Sequence, residues 1–190
     1  MRIIAGRYKG HRLASLKGTS TRPTRDRIRE AVFNILEPKG PFLQIADFFA
    51  GSGAMGLEAL SRWGGRALFV DSSQSALECI RGNIIRLKLE GRAEVLKRDL
   101  RRGIDFLKAS ARSFDLVFVD PPYSREWSAL ILPSIFGLPL LNAKGVLVLE
   151  HDAKDPVPRQ IGSWEAGEAR QYGRTKISIY QSSSQPSTDE

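Results

Sequence analysis

The stretch Asp47-Phe-Phe-Ala-Gly51-Ser-Gly53-Ala-Met-Gly56 decides the fold. An apolar run, 42–49, leads into the three glycines, and the helical segment Leu57-Glu-Ala-Leu60 follows them. Glycines between a strand and a helix let the backbone pass close to a ligand at the carboxyl end of a buried strand. The stretch therefore predicts the first strand, loop and helix of a doubly wound, Rossmann-like α/β fold.

Further apolar runs repeat this pattern, and each is separated from the next by enough residues for a crossover helix. Near-continuous apolar strands that alternate with helices are typical of a parallel sheet buried on both faces. Beyond Glu150, residues 171–180 alternate Ile177 and Ile179 with polar neighbours, which predicts a half-exposed antiparallel strand. The predicted strands of the parallel part are 42–49, 67–70, 93–96, 114–119 and 145–149.

The charge of the chain is concentrated near its start. The 190 residues suffice for one domain with its own core, and they include 29 Lys and Arg against 21 Asp and Glu. Nine of those basic residues and only two of the acids lie in residues 1–30. Such a segment favours a polyanionic partner, above all a nucleic acid, although a basic segment can also be a merely solvated arm.

Composition also bears on location. The single cysteine, Cys79, excludes an intrachain disulfide, and the first residues hold no apolar run of secretory length. The longest uncharged stretch, 127–143, is shorter than a membrane span and is interrupted by Pro133, Gly137 and Pro139. We therefore expect a cytoplasmic protein that makes no membrane contact.

The basic segment itself predicts a hairpin and a helix. Residues 2–5 and 11–14 flank Gly6-Arg-Tyr-Lys-Gly10, whose glycines can adopt positive φ. Apolar residues then recur at helical spacing between a cap at Thr24 and a stop at Pro38. We expect an arm (1–20), a catalytic domain (21–181) and a disordered tail (182–190). The candidate nucleic-acid-binding residues are Arg7, Lys9, Arg12, Arg22, Arg25 and Arg29, the last two falling off the apolar helix face.

The glycine loop leaves two cofactors open. Its literal Gly-x-Gly-x-x-Gly spacing, with Asp71 ending the next strand, matches the dinucleotide fingerprint. Asp47 does not belong to that pattern and suits a cationic group such as an amino acid's ammonium, which favours S-adenosylmethionine over NAD. Asp71 is interpreted as a ribose ligand or a strand-end turn residue, and Asp99 as an adenine contact or a helix cap.

The fourth predicted strand runs into Asp120-Pro121-Pro122-Tyr123. Two prolines fix φ and remove two amide donors, which leaves a rigid turn rich in acceptors beside the glycine loop. If the Asp120 carboxylate and the Pro121 carbonyl accept hydrogen bonds from an exocyclic amine, they orient its lone pair toward an electrophilic methyl group. Tyr123 would stack on a flipped base. The competing interpretation is an ordinary proline turn at a strand end.

The remaining reactive side chains do not form a site. His11 and His151 are isolated in sequence and lack the spacing of metal ligands, so we expect no metal. Cys79 lies among apolar neighbours in a helical segment and is expected in the core.

The Asp120-Pro-Pro-Tyr123 tetrapeptide resembles the fourth motif of class I methyltransferases that act on exocyclic amines. Four motifs together resemble the bacterial 16S rRNA guanine-N2 methyltransferases of the RsmD type. They are this tetrapeptide, the glycine loop, the start of the basic segment (Met1-Arg-Ile-Ile-Ala-Gly-Arg-Tyr-Lys-Gly10) and the start of its helix (Arg22-Pro-Thr-Arg-Asp-Arg). The resemblance runs from residue 1 to about residue 180.

The resemblance implies a mostly parallel seven-stranded sheet, S-adenosylmethionine as donor and a guanine N2 amine of 16S rRNA in the assembling small subunit as acceptor. It places Asp47, Gly51 and Gly53 on the methionine part, Asp71 on the ribose and Asp99 on the adenine. The tetrapeptide 120–123 would hold the target base. Two residues depart from the family pattern: Arg25 often has a smaller polar counterpart, and Asp71 often has Glu.

Other functions stay open on the residues alone. The substrate could be a DNA adenine (N6) or cytosine (N4), although no target-recognition domain is evident, or a protein glutamine, although that chemistry usually resembles Asn-Pro-Pro-Tyr. A nicotinamide-dependent oxidoreductase shares the glycine spacing. A catalytically silent RNA-binding module would need only the basic arm. A monomer is the simpler expectation for a chain that docks on a large particle.

Overall fold

A computed structural model describes residues 1–16, 23–110, 112–122, 127–167 and 169–183, without the side chains of 23–25, 109–110 and 127–130. Short 3₁₀ helices occur at Glu37–Lys39, Leu100–Arg102 and Asp105–Ser110. The helices are α1 (Pro23–Leu36), α2 (Ala54–Trp63), α3 (Gln74–Leu87) and α4 (Trp127–Phe136). The strands are β1 (Gln44–Phe48), β2 (Arg66–Asp71), β3 (Ala93–Lys97), β4 (Phe114–Val119), β5 (Leu141–Asp152), β6 (Gln160–Ile161), β7 (Trp164–Ala166), β8 (Arg170–Tyr172) and β9 (Thr175–Ser182).

The strands form one sheet in the order β3-β2-β1-β4-β5-β9-β7-β6, and β8 pairs with β9. The pairs from β3 to β5 are parallel, and β9 runs antiparallel to β5. Strand order reverses between β1 and β4, where the crevice of a doubly wound sheet opens at the carboxyl ends. The α/β fold is as expected, and the described part contains nine strands rather than seven because β6 and β8 add two short ones.

Strand bounds follow the apolar runs with two exceptions. β4 covers the predicted residues, and β2 and β3 differ from the prediction by a residue at one or both ends. β1 begins at Gln44, later than predicted. β5 is much longer than 145–149, because beyond its parallel pairing with β4 it continues antiparallel to β9 as far as Asp152.

The predicted strand at 171–180 is wrong in two respects. The stretch is a hairpin of β8 and β9 that turns at Gly173, whose φ is +63°. β9 is also buried on both faces: Ile177 and Ile179 pack in one core, and Tyr180 packs in the other. Both faces are covered because one apolar core lies against each side of β9.

Two apolar cores sandwich the sheet. One contains residues of the N-terminal hairpin, α1, α2 and α3, and the other contains residues of α4 and the 3₁₀ helices that follow β3. α1 starts at Pro23, so Thr24 lies inside the first turn and not at the predicted cap position; proline suits a first helical turn. Cys79 is only partly buried, which corrects the expected core position. No helix in these described ranges is long and apolar enough to cross a membrane.

The N-terminal hairpin is built on a minimal pairing. Arg2 and Arg12 form a single antiparallel bridge, and Gly6 and Gly10 have the expected positive φ values of +79° and +83°. Ile3 and Leu13 are buried in the core that α1 and α2 share. The hairpin is therefore packed against the sheet domain through its own apolar residues.

Polar contacts from α2 hold the first limb of the hairpin. The Glu58 carboxylate is fully buried and accepts the amides of Ile4 at 2.7 Å and Ala5 at 2.9 Å. Ser61 accepts the Tyr8 amide at 3.0 Å through its hydroxyl. These contacts fix the loop that carries the exposed Arg7 and Lys9.

A buried amide on α3 holds the second limb. Asn83 accepts the Ala14 amide at 2.7 Å and donates to the Ala14 carbonyl at 3.2 Å. Its side-chain nitrogen also donates to the Ser52 carbonyl at 3.0 Å. Asn83 thus connects the end of the hairpin to the glycine loop.

Candidate active site

A cavity of about 140 Å³ lies at the carboxyl ends of β1, β4 and β5, beneath α1. Apolar side chains from α1 and the sheet form much of its wall. Its charged lining, among the described residues, consists of Asp47, Asp120, Glu150 and Arg29. This is the crevice where a doubly wound sheet binds its ligand.

The glycine loop lies between β1 and α2, as its sequence predicts. Gly51 and Gly53 have φ values of +57° and +77°, and Gly53 is the residue before α2. A side chain at Gly56 would place its Cβ 2.5 Å from the Phe69 ring, so glycine is required for helix and strand to pack. Phe49, at the start of the loop, is a non-glycine residue with a φ of +59°. Such strained residues cluster at ligand-binding sites.

Asp47 lies buried at the wall of the cavity. It is 3% exposed, and its Oδ2 accepts the Gly56 amide at 2.9 Å. Burial raises the pKa of Asp47 to about 7, and the nearby Asp71 carboxylate acts in the same direction, against the Gly56 hydrogen bond. A buried carboxylate of this kind gains most from a cationic ligand group, which would replace the solvation it has lost.

Asp71 supports the loop from the end of β2. Its carboxylate accepts the Gly51 amide at 2.9 Å and the Ser73 amide at 2.8 Å. Asp71 is half-buried and is not among the residues that line the cavity. The turn interpretation is confirmed by the Ser73 contact, whereas ribose binding stays a prediction.

Asp99 caps the 3₁₀ helix Leu100–Arg102. It accepts the Arg101 amide at 3.0 Å and pairs with the Arg101 guanidinium at 2.7 Å. Hydrogen bonds from that guanidinium and amide hold the pKa of Asp99 below its usual value. The cap interpretation is confirmed, Asp99 does not line the cavity, and its adenine contact stays a prediction.

The tetrapeptide leaves β4 at the cavity mouth. Asp120 is exposed toward the opening, and its amide lies 3.4 Å from the Phe48 carbonyl of β1. Pro121 is buried and Pro122 is exposed. Tyr123 lies outside the described residues. The structure therefore brings Asp120 together with Asp47 and Gly51 in the cavity lining, as the sequence predicts.

The predicted nucleic-acid-binding residues divide into three groups. Arg7, Lys9 and Arg12 are exposed on the hairpin. Arg22 and the side chain of Arg25 lie outside the described residues. Arg29 corrects the prediction: it is only 4% exposed, so it does not belong to an open basic surface.

Arg29 is instead a buried cation of the cavity. Its Nη2 donates to the Arg2 carbonyl at 2.6 Å and lies 3.3 Å from Asp26. Its Nε lies 3.9 Å from the Glu58 carboxylate and has no hydrogen-bond partner in the described part of the chain. Burial lowers the pKa of Arg29, against the attraction of both acids. A cation with an unsatisfied donor thus lies in the same cavity as the Asp47 carboxylate.

Sequence reasoning missed Glu150 and Phe49 as cavity residues. Glu150 pairs with Ile177 of β9, and both residues line the cavity. A signal existed, since Glu150 is an acid after an apolar run, like Asp47 and Asp71. The sequence contains no such signal for the positive φ of Phe49.

The histidines are placed away from the cavity lining. His151 is buried, its Nε2 lies 2.9 Å from the Ser178 hydroxyl, and burial lowers its pKa. His11 is exposed on the hairpin. Across the described ranges, no three His, Cys, Asp or Glu residues gather into a group that could hold a metal ion.

The charged groups of the cavity are complementary to those of S-adenosylmethionine. The cofactor carries an ammonium and a carboxylate on one carbon, and the cavity offers the Asp47 carboxylate and the Arg29 guanidinium. Gly51 adds a loop backbone with open space where a Cβ would point. With the sheet order and the crevice at its switch point, these features define a class I S-adenosylmethionine-dependent methyltransferase.

Comparison with known proteins gives the family. The family described as conserved hypothetical protein 95 matches residues 1–181, and the chain belongs to this family, the RsmD family. The chain is 35% identical over 180 residues to YlbH of Bacillus subtilis, which covers 95% of this chain and 98% of that protein. It is 30% identical over 189 residues to ribosomal RNA small subunit methyltransferase D of Escherichia coli, covering 100% of this chain and 93% of that protein.

The solved structure of yhhF from Escherichia coli has a similar fold. It matches with a TM-score of 0.84 and 31% identity, over 97% of this chain and 99% of that one. Family and fold together support a methyltransferase and not the nicotinamide-dependent oxidoreductase that the glycine spacing left open.

Proposed function

We propose that this protein methylates the exocyclic N2 amine of a guanine in small-subunit (16S) ribosomal RNA. The observation that carries the proposal is the position of Asp120, which two prolines follow in sequence, in the lining of the cavity that Asp47 and the glycine loop also line. The Escherichia coli relative is named as a methyltransferase of small-subunit ribosomal RNA, which supports the choice of RNA.

The target amine would be held by the tetrapeptide. The Asp120 carboxylate and the Pro121 carbonyl accept hydrogen bonds from its two N–H groups, which favours a tetrahedral nitrogen whose lone pair points out of the ring plane. Bound S-adenosylmethionine supplies an electrophilic methyl group, whose transfer forms the N–C bond, leaves S-adenosylhomocysteine with the electrons of the broken S–C bond and releases one amine proton. Asp120, exposed at the mouth, passes that proton to water. Tyr123 is proposed to stack on the base.

The proposed cofactor-binding residues lie on β1, in the glycine loop, at the end of β2 and after β3. Asp47 would pair with the ammonium, and Gly51 and Gly53 would let the methionine part approach the backbone. Asp71 would accept hydrogen bonds from the ribose while it holds the Gly51 amide, and Asp99 would contact the adenine. One carboxylate oxygen of Asp71 accepts the Gly51 amide and the other accepts the Ser73 amide. Hydrogen bonds from the ribose would therefore use the remaining lone pairs of the two oxygens.

RNA would be held by the exposed basic residues of the hairpin. Arg7, Lys9 and Arg12 face solvent on an element that α2 and α3 fix in place. Phosphate contacts of this kind orient a nucleic acid without reading its sequence. Arg22 and Arg25, which follow the hairpin in sequence, are proposed to bind RNA as well. We further propose a monomer that acts in the cytoplasm on an assembling small subunit.

The test is transfer of labelled methyl groups to small ribosomal subunits that lack modifications, followed by nuclease digestion and mass spectrometry of the nucleosides. N2-methylguanosine is the expected product. Asp120→Ala should abolish transfer while the Kd of S-adenosylhomocysteine changes less than about twofold, because Asp120 is proposed to hold the base and not the cofactor. Asp105→Ala, which removes an exposed acid paired only with Lys108 among the described residues, is the matched control.

Other outcomes point elsewhere. Label in DNA adenine or cytosine, or in a protein glutamine, would replace the RNA substrate by one of the alternatives. RNA binding with no methyl transfer to any ribosomal RNA would support a silent binding module. Normal activity of Asp120→Ala would refute the role given to the tetrapeptide.

A further inference from the structure

A second carboxylate lies beside Asp120 at the edge of the sheet. Val119, the last residue of β4, and Leu149 of β5 are paired in parallel register, and Asp120 and Glu150 directly follow them in sequence. Neighbouring strands lie about 4.8 Å apart, so the two acids extend adjacent strands side by side.

Both acids point to the same face. Side chains alternate along a strand, so Asp120 follows the face of Phe118, and Glu150 follows the face of Val148. Phe118 and Val148 are register partners and both line the cavity, as do the two acids. Ile177 of β9 pairs with Glu150 of β5 and therefore lies beside it on the next strand.

Two adjacent carboxylates beside apolar cavity residues determine the hydrogen-bonding groups that a ligand must have. Each carboxylate only accepts hydrogen bonds when it is ionised, so the ligand must present two neighbouring donors. A guanine presents N1–H beside its N2 amine. Adenine and cytosine present a ring nitrogen lone pair beside their amines, and that lone pair would face a carboxylate without a hydrogen between them.

We propose that Glu150 determines specificity for guanine by accepting the N1–H while Asp120 accepts the N2 amine. The inference rests on the proposed function, and it adds the residue that selects the base. A site built to receive a hydrogen bond rejects an analogue that lacks the donor by a large factor, because its own polar group is left unpaired. Arg29, in the same cavity, balances part of the negative charge.

The experiment replaces the target guanine, once mapped, by 2-aminopurine in RNA assembled from a synthetic fragment. 2-Aminopurine keeps the amine at position 2 but has a lone pair at N1. The unaltered protein should prefer guanine by at least about 100-fold in kcat/KM. In Glu150→Gln the amide can donate to N1 of 2-aminopurine, so the preference should fall below about tenfold.

Two controls separate specificity from stability. Glu165→Gln changes a half-exposed acid on β7 and should keep the full preference for guanine. The Kd of S-adenosylhomocysteine should be the same for Glu150→Gln as for the unaltered protein. If Glu150→Gln transfers too little methyl to measure, 2-aminopurine fluorescence during titration of the substituted RNA replaces kinetics, and tighter capture by Glu150→Gln is the expected result.

An unchanged preference in Glu150→Gln, or equal capture of 2-aminopurine by both proteins, would overturn the role of Glu150. That failure is distinct from failure of the proposed function, in which the unaltered protein forms no N2-methylguanosine at all.

Discussion

Replacing Asp47 by Asn should make the protein more stable, and increasingly so as the pH rises. The folded pKa of Asp47 is about 7, against an ordinary value of 3.8. The folded state therefore binds a proton more tightly than the unfolded state, and ionisation of the buried carboxyl costs stability. The cost is absent below about pH 3.8, grows between that pH and 7, and is constant above 7.

The magnitude follows from the difference between the two pKa values. Each unit corresponds to about 1.4 kcal/mol, so full ionisation costs about 4 kcal/mol. Two of those units lie between pH 5 and pH 7. The stability advantage of Asp47→Asn should thus grow by about 3 kcal/mol between pH 5 and pH 8. The Asn side chain can still accept the Gly56 amide, so packing of the loop is preserved.

The assay is urea unfolding of both proteins at pH 5 and pH 8, with the difference in unfolding free energy compared between the two pH values. Effects of other titrating groups cancel in that comparison. Calorimetry with S-adenosylhomocysteine gives a second reading: its affinity for the unaltered protein should fall below pH 7, since its ammonium pairs with the ionised form, and Asp47→Asn should bind weakly without this pH dependence. A stability difference that is equal at pH 5 and pH 8 would refute the reasoning.

Three further substitutions test the supports of the site. Glu58→Ala should destabilise the protein by about 3–5 kcal/mol in urea unfolding, because it leaves the Ile4 and Ala5 amides unpaired and removes the buried carboxylate beside Arg29 and Arg62; a loss below about 1 kcal/mol would contradict this. Gly56→Ala should weaken S-adenosylhomocysteine binding at least about tenfold by calorimetry, since its Cβ meets the Phe69 ring, and unchanged affinity would argue against that packing. Gly6→Ala should lower RNA affinity in filter binding but not cofactor affinity, because its Cβ would lie 2.0 Å from the Ser61 carbonyl; equal losses of both would show a global effect.

The parts of the fold that sequence predicted well are those with local signals. The apolar runs gave β1 to β4, and the glycines gave the positive φ at Gly6 and Gly10 and the loop between β1 and α2. Asp47 was recognisable as a candidate site residue because burial of an acid inside an apolar strand is energetically unfavourable unless the acid has a functional role. Each of these signals lies within a few residues of the feature that it predicts.

The features that sequence missed depend on distant segments. Arg29 falls beside the apolar face of α1, and its burial comes from the Arg2 carbonyl and from Glu58 on another helix. Glu58 itself contacts amides 54 and 53 residues away, which no periodicity reveals. The alternation of Ile177 and Ile179 predicts one half-exposed strand, whereas the other face of β9 is covered by a core whose residues are distant in sequence.

Asn83 links the binding sites proposed for the cofactor and for the RNA. It fastens the carbonyl of Ser52 in the glycine loop and the backbone of Ala14 at the end of the hairpin. A bound cofactor that orders the glycine loop therefore also orders the base of the basic hairpin, even in the absence of RNA. We expect each of the two ligands to strengthen the binding of the other, so that departure of the spent cofactor weakens binding of the methylated RNA.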